Sequence, residues 1–137
     1  MDRRRPRRAP LRPLVLVVEH HDDTRALYAP ALTALGFEVV TAGEGDDPFR
    51  RAWEMHPDII VTNIPEPTPH FLRELRQNAR TREIPVVAVG SHSPGAVVAG
   101  AGREGLTAFL AQPCLPQELA SALRQVLEGH VLGVSQR

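Results

Sequence analysis

Short apolar runs rich in β-branched residues alternate with stretches of helical spacing, strand first. This alternation restricts the possible folds more than any other feature of the chain. The run Asp58-Ile59-Ile60-Val61-Thr62-Asn63 is entered from Pro57 and left through a segment holding Pro65, Pro67 and Pro69. A run of that length between breakers, apolar at successive positions, predicts a strand buried on both faces. Leu14–Val18, Phe37–Thr41, Ile84–Val89 and Thr107–Leu110 supply four more such runs. Parallel strands need crossover connections, and the helical stretches between the runs provide them. The expected body is therefore α/β, a doubly wound five-stranded parallel sheet with helices on both faces. In such sheets binding and chemistry sit just outside the carboxyl ends of the strands, so Asn63 marks the functional rim.

The helical stretches carry their own signals. Asp22 or Asp23 can cap the first, because a short carboxylate accepts the free N–H groups of a first turn. Leu27, Tyr28, Ala31, Leu32 and Leu35 keep helical spacing there. Gly36 supplies a left-handed stop, and Pro30 is expected to kink the helix. Asp47-Pro48 reads as a cap plus first helical residue. Phe49, Ala52, Trp53 and His56 then share a face, with Phe49 and Trp53 expected in the core. Thr68-Pro69 repeats the signature ahead of Phe71, Leu72, Leu75 and Ala79. Ser93-Pro94 opens a fourth helix, weakened by Gly95, Gly100 and Gly102. Pro116-Gln117-Glu118 opens the last, where Leu119, Ala122, Leu123, Val126 and Leu127 form the cleanest amphipathic stripe in the chain.

The 137 residues suffice for one domain with a normal core. Formal charge sums to zero but is unevenly placed. Residues 1–13 hold six arginines and one acid, while the remainder holds ten arginines and fifteen acids. The expected organisation is an Arg/Pro-rich arm over 1–13 that cannot bury apolar surface, a body over 14–129, and a tail over 130–137. The arm could contact nucleic acid or another acidic surface weakly, or remain a solvated tail. No apolar run reaches membrane-span length. Leu14–Val18 is too short for a signal peptide and ends at Glu19-His20-His21-Asp22-Asp23. A single cysteine, Cys114, excludes an internal disulfide and fits a reducing cytoplasm.

Enzyme signatures are missing. Gly43-Glu44-Gly45 and Gly100-Ala101-Gly102 match neither a dinucleotide nor a P-loop pattern. There is no nucleophile elbow and no paired catalytic acid set. Glu19 to Asp23 invites a zinc reading. Adjacent residues after a strand point in different directions, however, and one aspartate is wanted as a cap, so no metal is assigned. Cys114 has no cation beside it in sequence to activate the thiol and is expected to be inert.

Six segments, in order, resemble the receiver domain of bacterial two-component response regulators: VLVVEHHDDTRALY, LGFEVVTAGEG, HPDIIVTN, the Pro67 that follows, RTREIPVVAVGSHS and FLAQPCLPQEL. The resemblance covers nearly all of 14–128 and implies the flavodoxin-like (βα)5 fold with strand order 2-1-3-4-5. The loop and start of the third helix are about three residues shorter than usual, and Thr68-Pro69-His70 lacks the acidic-glycine turn common there. In that family an aspartate closing the third strand takes a phosphoryl group from a histidine kinase. Two acids after the first strand hold Mg²⁺. A hydroxyl residue after the fourth strand and a lysine after the fifth contact the phosphoryl oxygens, and an aromatic in the fifth strand reports the change. Ionised carboxylate, Mg²⁺ and lysine together make and stabilise the phosphoryl charge.

The resemblance places Asn63 at the phosphoacceptor and Glu19 and His20 at the acid pair. Gly90 falls at the hydroxyl, with Ser91 next, Gln112 at the lysine ahead of Pro113, and Phe109 at the switch aromatic. Only Glu19 keeps its counterpart's chemistry. All sixteen cationic side chains counted as lysine or arginine are arginine, so the lysine is absent whatever the alignment. His20 is a poor Mg²⁺ ligand, and binding of that ion is expected to be weak or absent. Asn63, Ser91 and Gln112 could instead form a neutral hydrogen-bonded cluster.

The implied function is a single-domain, degenerate receiver in two-component phosphorelay signalling. It would be cytoplasmic and independent of phosphorylation. It would meet a histidine kinase or output protein through the fourth helix, fifth strand and last helix, residues 94–128. Two alternatives stand beside it: a working phosphoacceptor using another acid such as Asp22 or Asp23, and a nucleic-acid-associated protein binding through the arginine arm.

Overall fold

The computed structural model describes residues 12–19, 22–43, 45–64, 68–90, 106–111 and 114–129. The elements run β1 (Leu14–Val18), α1 (Asp22–Ala34), β2 (Glu38–Ala42), α2 (Pro48–Met55), β3 (Ile59–Ile64), α3 (Thr68–Arg76), β4 (Val86–Gly90), β5 (Ala108–Ala111) and a C-terminal helix (Pro116–Leu127). All five strands pair in parallel in the order β2-β1-β3-β4-β5, the order that the resemblance implies. The helix anticipated from Ser93-Pro94 lies outside the described residues.

Strand alternation sends side chains to two cores. Val15, Val17, Ile59, Val61, Val87 and Val89 pack with Tyr28 and Leu32 of α1 and with Leu119, Leu123 and Val126 of the C-terminal helix. Leu16, Val18, Ile60 and Val86 pack on the other face with Ala52 of α2 and Phe71, Leu72 and Leu75 of α3. The central strands are apolar at successive positions because both faces are covered.

Polar contacts at the lower edge set the register of these layers. The Asp58 carboxylate accepts from the Leu14 N–H at 2.7 Å, and the Asp58 N–H donates to the Leu14 carbonyl at 2.8 Å. This reciprocal pair aligns β1 with β3. Asp47 caps α2 by accepting from the Arg50 N–H at 3.2 Å, with Pro48 in the first turn. Gly36 ends α1 with φ +105°. The Arg124 guanidinium donates to the Leu35 carbonyl at 2.7 Å and lies 4.4 Å from the Phe37 ring centroid. One side chain thus fastens the C-terminal helix to the α1–β2 turn.

Several expectations need correction. Leu27 and Leu35 are exposed, because Tyr28 and Leu32, four residues apart, define the buried stripe of α1. Trp53 is exposed as well. The Arg80 guanidinium lies 4.4 Å from its ring centroid and donates to its carbonyl at 2.7 Å, so the indole meets a cation instead of the core. His56 does not extend the face of α2 but terminates the helix with φ 50°. Ala79 is exposed in the turn after α3. Phe37 is fully buried but precedes β2, and Ile84 is buried ahead of β4. The α1 helix begins at Asp22 and α3 at Thr68, so these residues stand in first turns, within the usual spread of helix ends.

Candidate functional site

The register of the parallel strands brings the sequence-selected positions to one end of the sheet. Val18 of β1 pairs with both Ala42 and Thr62, so Glu19 and Asn63 follow at the carboxyl ends of neighbouring strands. Asn63 pairs with Val89, Ile64 with Gly90, and Gly90 with Ala111. Glu19, Asn63, Gly90 and Ala111 therefore mark one rim. His20, Ser91, Gln112 and Pro113 lie outside the described residues. Asn63 itself belongs to the ladder of β3, which continues one residue further, to Ile64.

Glu19 is almost fully buried, and its N–H donates to the Ala42 carbonyl at 3.0 Å, so the residue stays tied to the sheet after β1 has ended. Its charge acts on Tyr28 of α1. Burial, followed by the negative charges of Cys114, Glu19 and Glu118, pushes the Tyr28 phenol up to about 12. The same hydroxyl donates to the Cys114 carbonyl at 3.0 Å. Cys114 is half-buried, and burial followed by the Glu118 carboxylate pushes its thiol up to about 11. The thiol is therefore protonated and unreactive at neutral pH. Glu118 also accepts from the Leu115 N–H at 3.0 Å, holding the start of the C-terminal helix beside the rim.

The remaining positions offer little chemistry. Gly90 is the buried last residue of β4 and brings no hydroxyl. Phe109 is buried in β5 against Ala88. Thr62 is fully buried one residue before Asn63, and among the described residues its hydroxyl has no hydrogen-bond partner. Of the described positions that the resemblance selects, Glu19 is the one that brings a carboxylate. A carboxylate can hold a hard cation, but Mg²⁺ demands several oxygen ligands in near-octahedral array. An amide at position 63 has its nitrogen lone pair delocalised and an oxygen far less nucleophilic than a carboxylate. A phosphoryl group attached there would lack the acyl-phosphate linkage.

Spacing alone did not reveal the Tyr28–Cys114 bond. Helical spacing puts Tyr28 on the buried stripe, where its ring belongs, but a buried phenol also needs a hydrogen-bond partner. That demand was the available signal. The partner, 86 residues away, was not.

Residues 15–124 match the response regulator receiver domain family. The chain is 26% identical over 115 residues to the transcriptional regulatory protein AfsQ1 of Streptomyces coelicolor, covering 84% of this chain and 51% of that protein. It is 27% identical over 116 residues to the probable chemotaxis protein CheY of Rhizobium etli, covering 82% of this chain and 90% of that protein. The chain thus spans about half the length of the transcriptional regulator and nearly all of the chemotaxis protein. Among solved structures, the chemotaxis response regulator CheY4 of Vibrio cholerae superposes with a TM-score of 0.76 at 22% identity, over 84% of this chain and 98% of that one.

Proposed function

The chain belongs to the response regulator receiver family, and from that premise we propose that it is a degenerate receiver which signals in a two-component pathway without being phosphorylated. The observation that carries this reading is Asn63 in the last two residues of the central strand β3, in a chain with no lysine; on the resemblance it takes the position of the family's acceptor aspartate. Each missing group removes a different contribution. The amide takes away the nucleophile, His20 takes away a metal oxygen, Gly90 takes away a hydroxyl, and Gln112 takes away the cation that neutralises the transferred phosphoryl. Losing any one would slow transfer. Losing all four leaves no route to it.

On this reading the protein acts in the cytoplasm as a binding module, not a catalyst. Its partner is a histidine kinase or an output protein that docks on residues 94–128, with β5 and the C-terminal helix at the centre. Residues 1–13 form a basic arm, 14–129 the signalling body, and 130–137 a tail.

The test is incubation with a small-molecule phosphodonor and Mg²⁺, read by intact mass. The native chain is expected to gain no stoichiometric phosphoryl group. The triple variant N63D/H20D/Q112K, which returns nucleophile, metal ligand and cation together, is expected to gain one. A stoichiometric adduct on the native chain overturns the proposal.

A further inference from the structure

The strands start at the end of the sheet opposite Asn63, and an aromatic ring lies open there. Trp53, the only tryptophan in the chain, stands in the last turn of α2 and is 42% exposed. A single exposed apolar side chain means little by itself, but this one carries a fixed cation. The Arg80 Nε donates to the Trp53 carbonyl at 2.7 Å, and the guanidinium carbon lies 4.4 Å from the ring centroid. The Asn78 side chain accepts from the Arg80 N–H at 3.0 Å and steadies the turn that presents it. The guanidinium is thus held at two points, and its terminal nitrogens have no partner among the described residues. A planar fork held still, with its outer edge open, suits the oxygens of a phosphate or carboxylate.

The cations at this end keep their charge. Arg12 donates to the Phe37 carbonyl at 3.1 Å, as Arg80 does to that of Trp53. A carbonyl is neutral, so neither bond cancels an arginine. Arg82 is exposed, and its side chain meets no carboxylate among the described residues. Two of the nearby acids are engaged: Glu54 pairs with Arg50 at 3.0 Å, and Asp58 accepts from the Leu14 N–H at 2.7 Å. Glu38 and Glu83 are the other acids beside these strand starts. The Asp58–Leu14 pair also sets the end of α2 next to the start of β1, where the chain enters the fold at Arg12. Residues 1–11, which lead into that point, hold five arginines and one acid. The basic groups of a chain with an acidic body are therefore gathered at one end.

We infer that this end of the molecule binds single-stranded nucleic acid, a base stacking on the open part of the Trp53 indole and flanking phosphates meeting Arg80 and Arg82. Every base offers a π-face to an aromatic ring, and arginine adds a cation–π contribution. An acidic protein segment would use the charges and leave the ring idle. The arginines of residues 1–11 add attraction that does not depend on sequence. Stacking and phosphate contacts read no base edges, so binding tolerates any sequence. The surface is at the opposite end of the sheet from Asn63, and the inference holds whether or not that rim takes a phosphoryl group.

Trp53 is its own reporter, being the only tryptophan. The full chain is titrated at low salt with an oligothymidylate of about 20 nucleotides, longer than one binding site. Indole emission is read with the plain oligonucleotide and anisotropy with a fluorescein-labelled one. Emission is expected to be quenched in step with the rise in anisotropy. Three phosphate contacts predict about a twentyfold loss of affinity between about 50 and 200 mM salt. W53A is expected to weaken binding by about fivefold or more, and R82E by about tenfold or more. Both positions are exposed, and both variants are expected to keep the native circular-dichroism spectrum. No change in anisotropy at low salt overturns the inference. So does binding that leaves Trp53 emission unquenched and ignores both W53A and R82E, which places the oligonucleotide on residues 1–11 alone. Equal quenching by polyglutamate at matched charge assigns the surface to an acidic protein and rules out the nucleic acid.

Discussion

Tyr28 is the only tyrosine in the chain and Cys114 the only cysteine, so each can be titrated alone. The phenol ionises near 10 when unfolded and near 12 when folded, chiefly because it is buried. Below pH 10 both states keep the proton and the shift has no effect on stability. Between about pH 10 and 12 the unfolded chain releases the proton first, so stability falls as pH rises. Ultraviolet titration is expected to show the phenol ionising well above 10 until the chain unfolds, and a midpoint at or below 10 in the folded state would contradict the burial. Cys114, raised to about 11, adds to the same alkaline loss. Asn63 belongs to this scale too. Its place is legible in the sequence to within a residue: a run of branched residues ending in a polar one marks the carboxyl end of a strand, and β3 runs on only to Ile64. The resemblance also singles out His20, Ser91 and Gln112, which lie outside the described residues.

At the scale of elements, the α1–β2 turn joins layers that neither element would hold alone. Gly36 has φ +105°, and a Cβ there would lie 2.7 Å from the Arg124 guanidinium. Gly36→Ala meets both a left-handed backbone and a displaced arginine. It is expected to cost about 1–3 kcal/mol, read as a lower midpoint in urea with an unchanged slope. Arg124→Ala is expected to cost less, about 1 kcal/mol, since it removes an exposed hydrogen bond and a cation–ring contact. Breakers and caps made these element ends legible: Asp47-Pro48, Gly36 and Pro116 all fall where the structure turns. The buried sides of helices were less legible. Leu27, Leu35 and Trp53 suit a core by composition, but the sheet accepts only one stripe of each helix.

For the whole molecule, stability and ligand binding are linked. A ligand that binds the folded state raises the thermal midpoint in proportion to RT ln(1 + [L]/Kd). Adding Mg²⁺ to about 10 mM is expected to leave the midpoint unchanged for the native chain and to raise it by roughly 2–5 °C for N63D/H20D, which regains two carboxylates beside Glu19. A rise in the native chain would show that Glu19 and its surroundings still hold the ion. The comparison separates loss of metal from loss of nucleophile, which intact mass alone cannot do.

By itself the sequence determined the class of fold, the count of strands and their places along the chain, and the end of the sheet where the informative residues gather; the order of the strands in the sheet came only with the family resemblance. Those features follow from local chemistry: branched runs extend, capped and apolar-striped segments coil, and prolines and glycines separate them. Only the tertiary structure decided which helix faces stay open, that Arg124 reaches the α1–β2 turn 89 residues away, and that Tyr28 meets Cys114 across 86. Contacts between residues so far apart in the chain depend on how finished layers stack, and no short window of sequence holds that information.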